Sequence, residues 1–269
     1  MLLADWQSTM LITLTTDFGY QDAFVGVMKG VIAGINPNAE VVDLTHGISA
    51  HDVMAAALTL RHAIGYFPRD TIHVAVVDPG VGSARKPLLI EAGGNYFIGP
   101  DNGILSLALE GKTPGRIVHL SNPAYHLHPT SRTFHGRDVF APAAAHLSLG
   151  VPPVNFGEPL DSFVHLTLAR IVRRERQIGG EITYIDGYGN LFTNVSEHDL
   201  TGLPNSGLAI ALGPIQVHGV ASSYATVGAG EFVAVINSWG LLEISVHMDS
   251  AQRLSGAKIG DKVQVTWDS

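Results

Sequence analysis

Short apolar runs, each closed by an acid, a glycine or a proline, alternate along the first half of the chain with longer stretches of helical periodicity. LITLTT (Leu11–Thr16) is apolar and β-branched and predicts a strand. The segment after it places Phe24, Val27, Met28, Val31, Ile32 and Ile35 on one helical face, with Asp22 as the expected N-cap. EVVDL then predicts a strand, DVMAAALTLRHAIGY a helix, and TIHVAVV a third strand. KPLLIEA and NYFIGP flank Gly93-Gly94 and predict a hairpin, whereas NGILSLALE and DVFAPAAAHLSLG read as helices. Alternation of this kind predicts an α/β layer fold with a largely parallel central sheet.

Beyond Pro159 the period changes. RRERQ (Arg173–Gln177) reads as a charged junction. The runs that follow it are strand-like: GGEITYID, NLFTNV, GLAIAL, EFVAVIN, LLEISV and KVQVTW, divided by Gly, Asn, Pro and Ser. Short strands at this spacing predict a smaller all-β barrel. The expected organisation is an N-terminal α/β domain over 10–165 and a C-terminal β-barrel domain over 176–269.

Composition narrows the function classes. The 269 residues carry 16 Lys and Arg against 24 Asp and Glu, a net charge of −8. Nucleic acid and anionic membranes both call for the opposite balance, so neither is expected as a partner. The chain has no cysteine, hence no disulfide framework, thiolate nucleophile or thiolate metal site. The opening MLLADWQSTM lacks the basic and apolar regions of a signal peptide and reads as a loose leader. No run approaches the roughly 18–20 apolar residues of a membrane span, and a cytoplasmic setting is expected.

Three predicted strands end in an acid and a turn: Asp17 in TTDFG, Asp43 in VVDLTHG and Asp78 in VVDPGVG. Open α/β sheets bind ligands at the carboxyl ends of their strands, although such acids also serve simply to cap turns. Several tempting motifs lack their context. TDFG has no kinase elements before it, GVGSARK lacks the phosphate-loop spacing, and GxSxG is absent. The 13 histidines include no HExxH pair, so no metal is expected.

Six stretches in order, TDFGYQDAFVGVMKGVI, VVDPGVGSARKP, IGPDNGIL, TFHGRDVFAPAAAHL, IDGYGNLFTN and INSWGLLEI, together resemble the S-adenosyl-L-methionine (SAM) hydroxide adenosyltransferases, or SAM hydrolases, and the related fluorinases and chlorinases. The resemblance implies the two-domain architecture already expected. It also implies a homotrimer, with each site between one subunit's N-terminal domain and its neighbour's C-terminal domain. The implied reaction is displacement at ribose C5′ of SAM, giving adenosine and L-methionine, with SAM as substrate and no cofactor. A sulfonium leaves without a general acid, so such a site needs a nucleophile, a line of attack and dryness.

By the same resemblance Asp78, Arg85 and His135 hold and activate the water, with either Asp78 or His135 accepting its proton. Asp17 corresponds to the acid on the ribose hydroxyls, Asp186 to the partner of the methionine ammonium, and Ser238 to a ligand of the amino-acid end. The Asn190 amide suits the adenine edge. Phe192 and Tyr224 are candidates to stack on adenine, with plain barrel core as the competing role. The halogenases carry tyrosine where this chain has Asp78, and fluorinase carries serine in place of Gly136, so water is the expected nucleophile. The alternatives are a chlorinase-like halogenase, a non-catalytic adenosine or SAM binder, and a metal-dependent hydrolase. Trp239 stands where fluorinase has arginine, and ISVHMDSA departs from the usual hydrolase stretch, so no site residue is assigned there.

Overall fold

A computed structural model describes residues 10–204 and 207–268; the leader expected over the first nine residues lies outside them. The chain divides into two compact units, one ending at Leu166 and the other starting at Thr167.

The N-terminal unit is built on a six-stranded sheet in the order β2-β1-β3-β5-β4-β6. The strands are β1 (Leu11–Thr16), β2 (Glu40–Thr45), β3 (Ile72–Val76), β4 (Pro87–Ala92), β5 (Asn95–Pro100) and β6 (Pro114–His119). β2, β1, β3 and β5 run parallel, whereas β4 is antiparallel to both β5 and β6. Alternation at β3 serves two cores. Val74 and Val76 pack with α1 (Phe24–Ile35) and α3 (Ala141–Ser148), while Ala75 and Val77 join a cluster with α2 (Val53–Ala63). A strand covered on both faces reads as a continuous apolar run, which is why TIHVAVV shows no alternation.

The β4–β5 hairpin turns on Gly93 and Gly94, at φ +59° and +81°, the left-handed pair that a two-residue hairpin loop requires. Other expectations are corrected. α1 starts at Phe24 behind Ala23 with no side-chain cap, so Asp22 is not its N-cap. NGILSLALE is not a helix. Asn102 Oδ1 accepts the Ile104 N–H, Gly103 takes φ +94°, and only a single 3₁₀ turn forms at Leu107–Leu109. DVFAPAAAHLSLG enters α3 through a π-turn, Gly136–Phe140.

The C-terminal unit is a rolled, antiparallel eight-stranded sheet. Its strands are β7 (Val172–Arg174), β8 (Gln177–Ile185), β9 (Leu191–Ser196), β10 (Leu208–Leu212), β11 (Ile215–His218), β12 (Phe232–Ile236), β13 (Leu241–Val246) and β14 (Lys262–Trp267). The main path runs β11-β10-β14-β8-β9-β13-β12, with β7 added to β8. β11 and β12 come back into contact, enclosing Ile178, Ile182, Leu191, Ile210, Ile244 and Val263. RRERQ is not a junction but the turn of the β7–β8 hairpin. Two short helices interrupt the strands, α4 (Glu197–Leu200) and α5 (Ala251–Ser255), each capped by a serine, Ser196 and Ser250.

Candidate active site

β1 and β3 are paired so that Thr16 lies opposite Val76. The chain leaving the two strands therefore delivers Asp17 and Asp78 side by side at the carboxyl edge of the sheet. Both line a cavity of about 270 Å³ with Phe18, Phe24, Val81, His135 and Gly136. The turn after Asp78 folds back on itself through the bonds Val81 N–H to Asp78 O and Ser83 N–H to Gly80 O. Arg85 thereby returns to the acid that began the turn.

The meeting is close. Arg85 Nε donates to Asp78 Oδ1 at 3.0 Å and Nη2 donates to Oδ2, a bidentate fork. Only 9% of the Arg85 side chain and 6% of Asp78 are exposed. Arg85 Nη2 also donates to His135 Nδ1 at 2.8 Å, and the Phe140 ring lies 5.5 Å from the guanidinium carbon. Among the described residues Arg85 Nη1 is buried and has no hydrogen-bond partner. Asp78, Arg85 and His135 thus form one cluster at this rim.

A guanidinium only donates, so His135 Nδ1 accepts and the ring hydrogen sits on Nε2. Burial lowers the His135 pKa first, and the Arg85 cation lowers it further. Asp78, Asp138 and the Ser131 carbonyl, an acceptor for the ring, pull the other way without reversing the shift. His135 is therefore a neutral imidazole at pH 7. Phe18, Phe24 and Phe134 form a triangle with ring centroids 5.2 to 5.8 Å apart. A Cβ on Gly136 would come within 3.1 Å of Phe134 and 3.2 Å of Met28, so glycine there lets the aromatic wall close.

Asp17 Oδ2 accepts the N–H of His51 at 2.9 Å, which fixes the carboxylate at the cavity rim. Asp43, the third strand-end acid, does something else. It holds Lys29 at 2.7 Å and the Tyr20 hydroxyl at 2.9 Å. Burial pushes its carboxyl up, but Lys29 first, and then His46 and Tyr20, outweigh burial and hold the pKa down at about 2. The His46 Nε2 approach is 3.0 Å from Oδ1 but poorly aligned for a hydrogen bond, so Lys29 is the main partner. Asp43 is a structural ion-pair centre held by side chains, not a cap on its turn.

The other five candidates, Asp186, Asn190, Phe192, Tyr224 and Ser238, all line one cavity of about 1120 Å³ in the C-terminal unit. Asp186 and Asn190 are bound to each other. Asp186 Oδ1 accepts the N–H groups of Tyr188 and Asn190, and Oδ2 accepts Asn190 Nδ2, each at 2.9 Å. Asn190 Oδ1 and one remaining N–H are thus what the amide has to offer a ligand. Phe192 is buried against Tyr184 and Trp239. Tyr224 is half-exposed at the wall rather than core. Burial first, and then its bond to Glu243, push the Tyr224 phenol up to about 12.

Glu243 was not among the sequence candidates. It is 1% exposed, lines the cavity, and accepts the Tyr224 hydroxyl at 2.9 Å and the Ser245 hydroxyl at 2.5 Å. The signal was a single acid within the apolar run LLEISV, since a carboxylate is rarely buried without a task. Among the described residues no group of three or more His, Asp or Glu side chains could hold a metal. Among them, too, no helix is long and apolar enough to cross a membrane.

Residues 12–157 match the SAM hydroxide adenosyltransferase N-terminal domain and residues 180–264 the C-terminal domain of the same family. An (R)-S-adenosyl-L-methionine hydrolase of Salinispora tropica is 36% identical over 96% of this chain and 98% of its own. A crystal structure of an uncharacterized conserved protein from Thermotoga maritima superposes with a TM-score of 0.88 at 34% identity, covering 96% of this chain and 100% of that one. A fluorinase of Nocardia brasiliensis is more distant, 24% identical over 95% of this chain and 96% of its own.

Proposed function

The chain belongs to the SAM hydroxide adenosyltransferase family and its activity is the hydrolysis of S-adenosyl-L-methionine; we propose that Arg85 holds the attacking water, Asp78 takes its proton, and His135 fixes the orientation of Arg85. The observation that carries this reading is the Arg85 guanidinium itself. It is locked to Asp78 and His135, both lining the cavity, and retains a buried Nη1 without a partner among the described residues.

The division of labour follows from lone pairs. His135 Nδ1 already accepts from Arg85, and its Nε2 carries hydrogen, so the neutral ring has no acceptor left. Each Asp78 oxygen accepts one bond and keeps further acceptor capacity. The water proton passes to Asp78 while its oxygen bonds to C5′. The C5′–S bond breaks, and its electron pair stays on sulfur as the neutral thioether of methionine. Opposite charges are consumed in that step, so a cavity walled by Phe18 and Phe24 favours it over bulk water.

Asp17 is assigned to the ribose hydroxyls on its place at the rim. Asp186 and Ser238 are assigned to the amino-acid end, Asn190 to the adenine edge, and Phe192 and Tyr224 to the adenine faces. A homotrimer that joins one subunit's N-terminal cavity to its neighbour's C-terminal cavity is part of the proposal, supported by the complementary residue sets of the two cavities. Light scattering of the purified protein tests that mass. A cytoplasmic setting is proposed because the substrate is a water-soluble cation, and no cofactor is invoked.

The deciding experiment is mass spectrometry of the nucleoside formed from SAM in ¹⁸O-labelled water containing chloride. Adenosine carrying the label at its 5′ oxygen is expected. A 5′-chloro nucleoside would make the enzyme a halogenase despite Asp78, and label at any other position would overturn attack at C5′.

A further inference from the structure

His135 reaches Arg85 from a segment with little regular structure, residues 127–135, and one side chain ties that segment down. Asp138 is completely buried. Its Oδ2 accepts the Ser131 N–H at 2.8 Å, and its backbone carbonyl accepts the Leu127 N–H at 2.8 Å. Ser131 passes the constraint on, because its Oγ accepts the N–H groups of Thr133 and Phe134 at 3.2 and 3.0 Å. A carboxylate with no exposed surface is an unusual anchor for a surface segment. It is neutralised locally by Arg137, whose Nε and Nη2 donate at 2.6 and 3.0 Å.

The segment is also gripped from the other side. Gly82, in the turn between Asp78 and Arg85, takes φ +77° and lies so close to Arg132 that a Cβ would fall 2.4 Å from its carbonyl oxygen. The loop that carries His135 is thus registered against the turn that carries Arg85.

We infer that Asp138 is a positioning residue for SAM hydrolysis, acting through Ser131 to hold His135 Nδ1 against Arg85 and so fix the guanidinium beside the water. The inference rests on the reading above, in which His135 orients Arg85. It assigns no contact with substrate to Asp138. Removing the anchor therefore lowers kcat and leaves KM nearly unchanged, since the groups that bind the nucleoside and the amino acid are untouched.

A double-mutant cycle tests this with the full-length enzyme, using Asp138→Asn, His135→Ala and the double variant, with circular dichroism and thermal melts as controls for folding. Asp138→Asn is expected to lower kcat by roughly 10- to 100-fold, the scale for misplacing a reacting group from a distance, with KM within about threefold. In the His135→Ala background the same substitution is expected to change kcat by less than about twofold, because the contact it serves is already gone. Equal losses in both backgrounds would overturn the inference and leave Asp138 a general stabiliser. A His135→Ala enzyme with unchanged kcat would instead overturn the role given to His135. If Asp138→Asn does not fold, Ser131→Ala replaces it in the cycle, with the same two outcomes at smaller amplitude.

Discussion

Replacing Arg85 by lysine keeps the charge and removes the geometry. Arginine makes three hydrogen bonds here, Nε to Asp78 Oδ1, Nη2 to Asp78 Oδ2 and Nη2 to His135 Nδ1, and keeps Nη1 for a further partner. An ammonium is a single point on a flexible stem and cannot span two carboxylate oxygens and an imidazole at once. Arg85→Ala would be the poorer experiment, because a buried carboxylate without its partner costs about 3–5 kcal/mol of stability and confounds activity with folding. Lysine leaves Asp78 paired. Under the proposed role it removes the donor that holds the water, and losing one such donor typically costs about 2.7–4 kcal/mol in the transition state, or roughly 100- to 1000-fold in kcat. The assay is steady-state release of adenosine at saturating SAM, with melting temperature as the control. KM should stay within about threefold, because Arg85 is not assigned to binding. A lysine enzyme with kcat within about threefold of the parent would refute the argument that the fixed fork, rather than mere charge, prepares the water.

Three further outcomes follow from geometry elsewhere. His73 is fully buried on β3 with Nδ1 2.9 Å from Thr13 Oγ1, and burial lowers its pKa from 6.5 to about 4. The neutral form is thus the folded one: its stability is complete above pH 6.5 and is lost as pH falls from 6.5 towards 4, by about 3 kcal/mol in all. Urea unfolding across that window should show a slope that flattens by up to one proton in His73→Gln, and an unchanged slope would refute the assignment. Gly82→Ala forces a Cβ onto the Arg132 carbonyl at a positive φ, so it should cost stability by about 1–3 kcal/mol and lower kcat by shifting the His135 loop; an enzyme with parental melting temperature and kcat would contradict the packing. Tyr224→Phe leaves the buried Glu243 with Ser245 as its remaining hydroxyl partner, a loss of about 1.5–3 kcal/mol that should appear as a lowered stability in urea unfolding. Adenosine affinity, measured by calorimetric titration, should stay within about threefold because the ring assigned to adenine is kept, and unchanged stability would refute the role given to the Tyr224–Glu243 bond.

How much of this could be read from the chain depends on the range of the interaction. The strand ends at Asp17 and Asp78 were legible because an apolar run closed by an acid and a turn is a local signal, and the Arg85 return was legible from a glycine-rich turn. Periodicity alone did not separate the three strand-end acids; the family resemblance singled out Asp17 and Asp78. Asp43 looks like its neighbours in sequence, and only its contacts with Lys29 and Tyr20 give it a structural role. The helix over NGILSLALE failed because a side-chain bond inside the turn, Ile104 N–H to Asn102 Oδ1, competes with helical ones, and the Asp22 cap failed because α1 starts one residue later, behind Ala23. The α4 start was available in Ser196-Glu197-His198-Asp199, a capping box that the strand-rich surroundings masked. Glu243 and Asp138 stayed hidden because burial of an acid depends on partners many residues away or in another unpredicted turn.

The π-turn at Gly136–Phe140 makes the site sensitive to a single codon. A helix advances about 100° per residue, so a π-turn is one residue wedged into an otherwise ordinary helix start. Deleting Val139 would let the helix close as α while α3 and its apolar contacts stay in register. Everything before the deletion, His135 included, would swing about 100° around the helix axis. Such a variant should melt below its parent, because Val139 and Asp138 are both buried, and release no adenosine. A one-residue length change at this turn would thus alter the placement of His135 while leaving the strand order and α3 as they are.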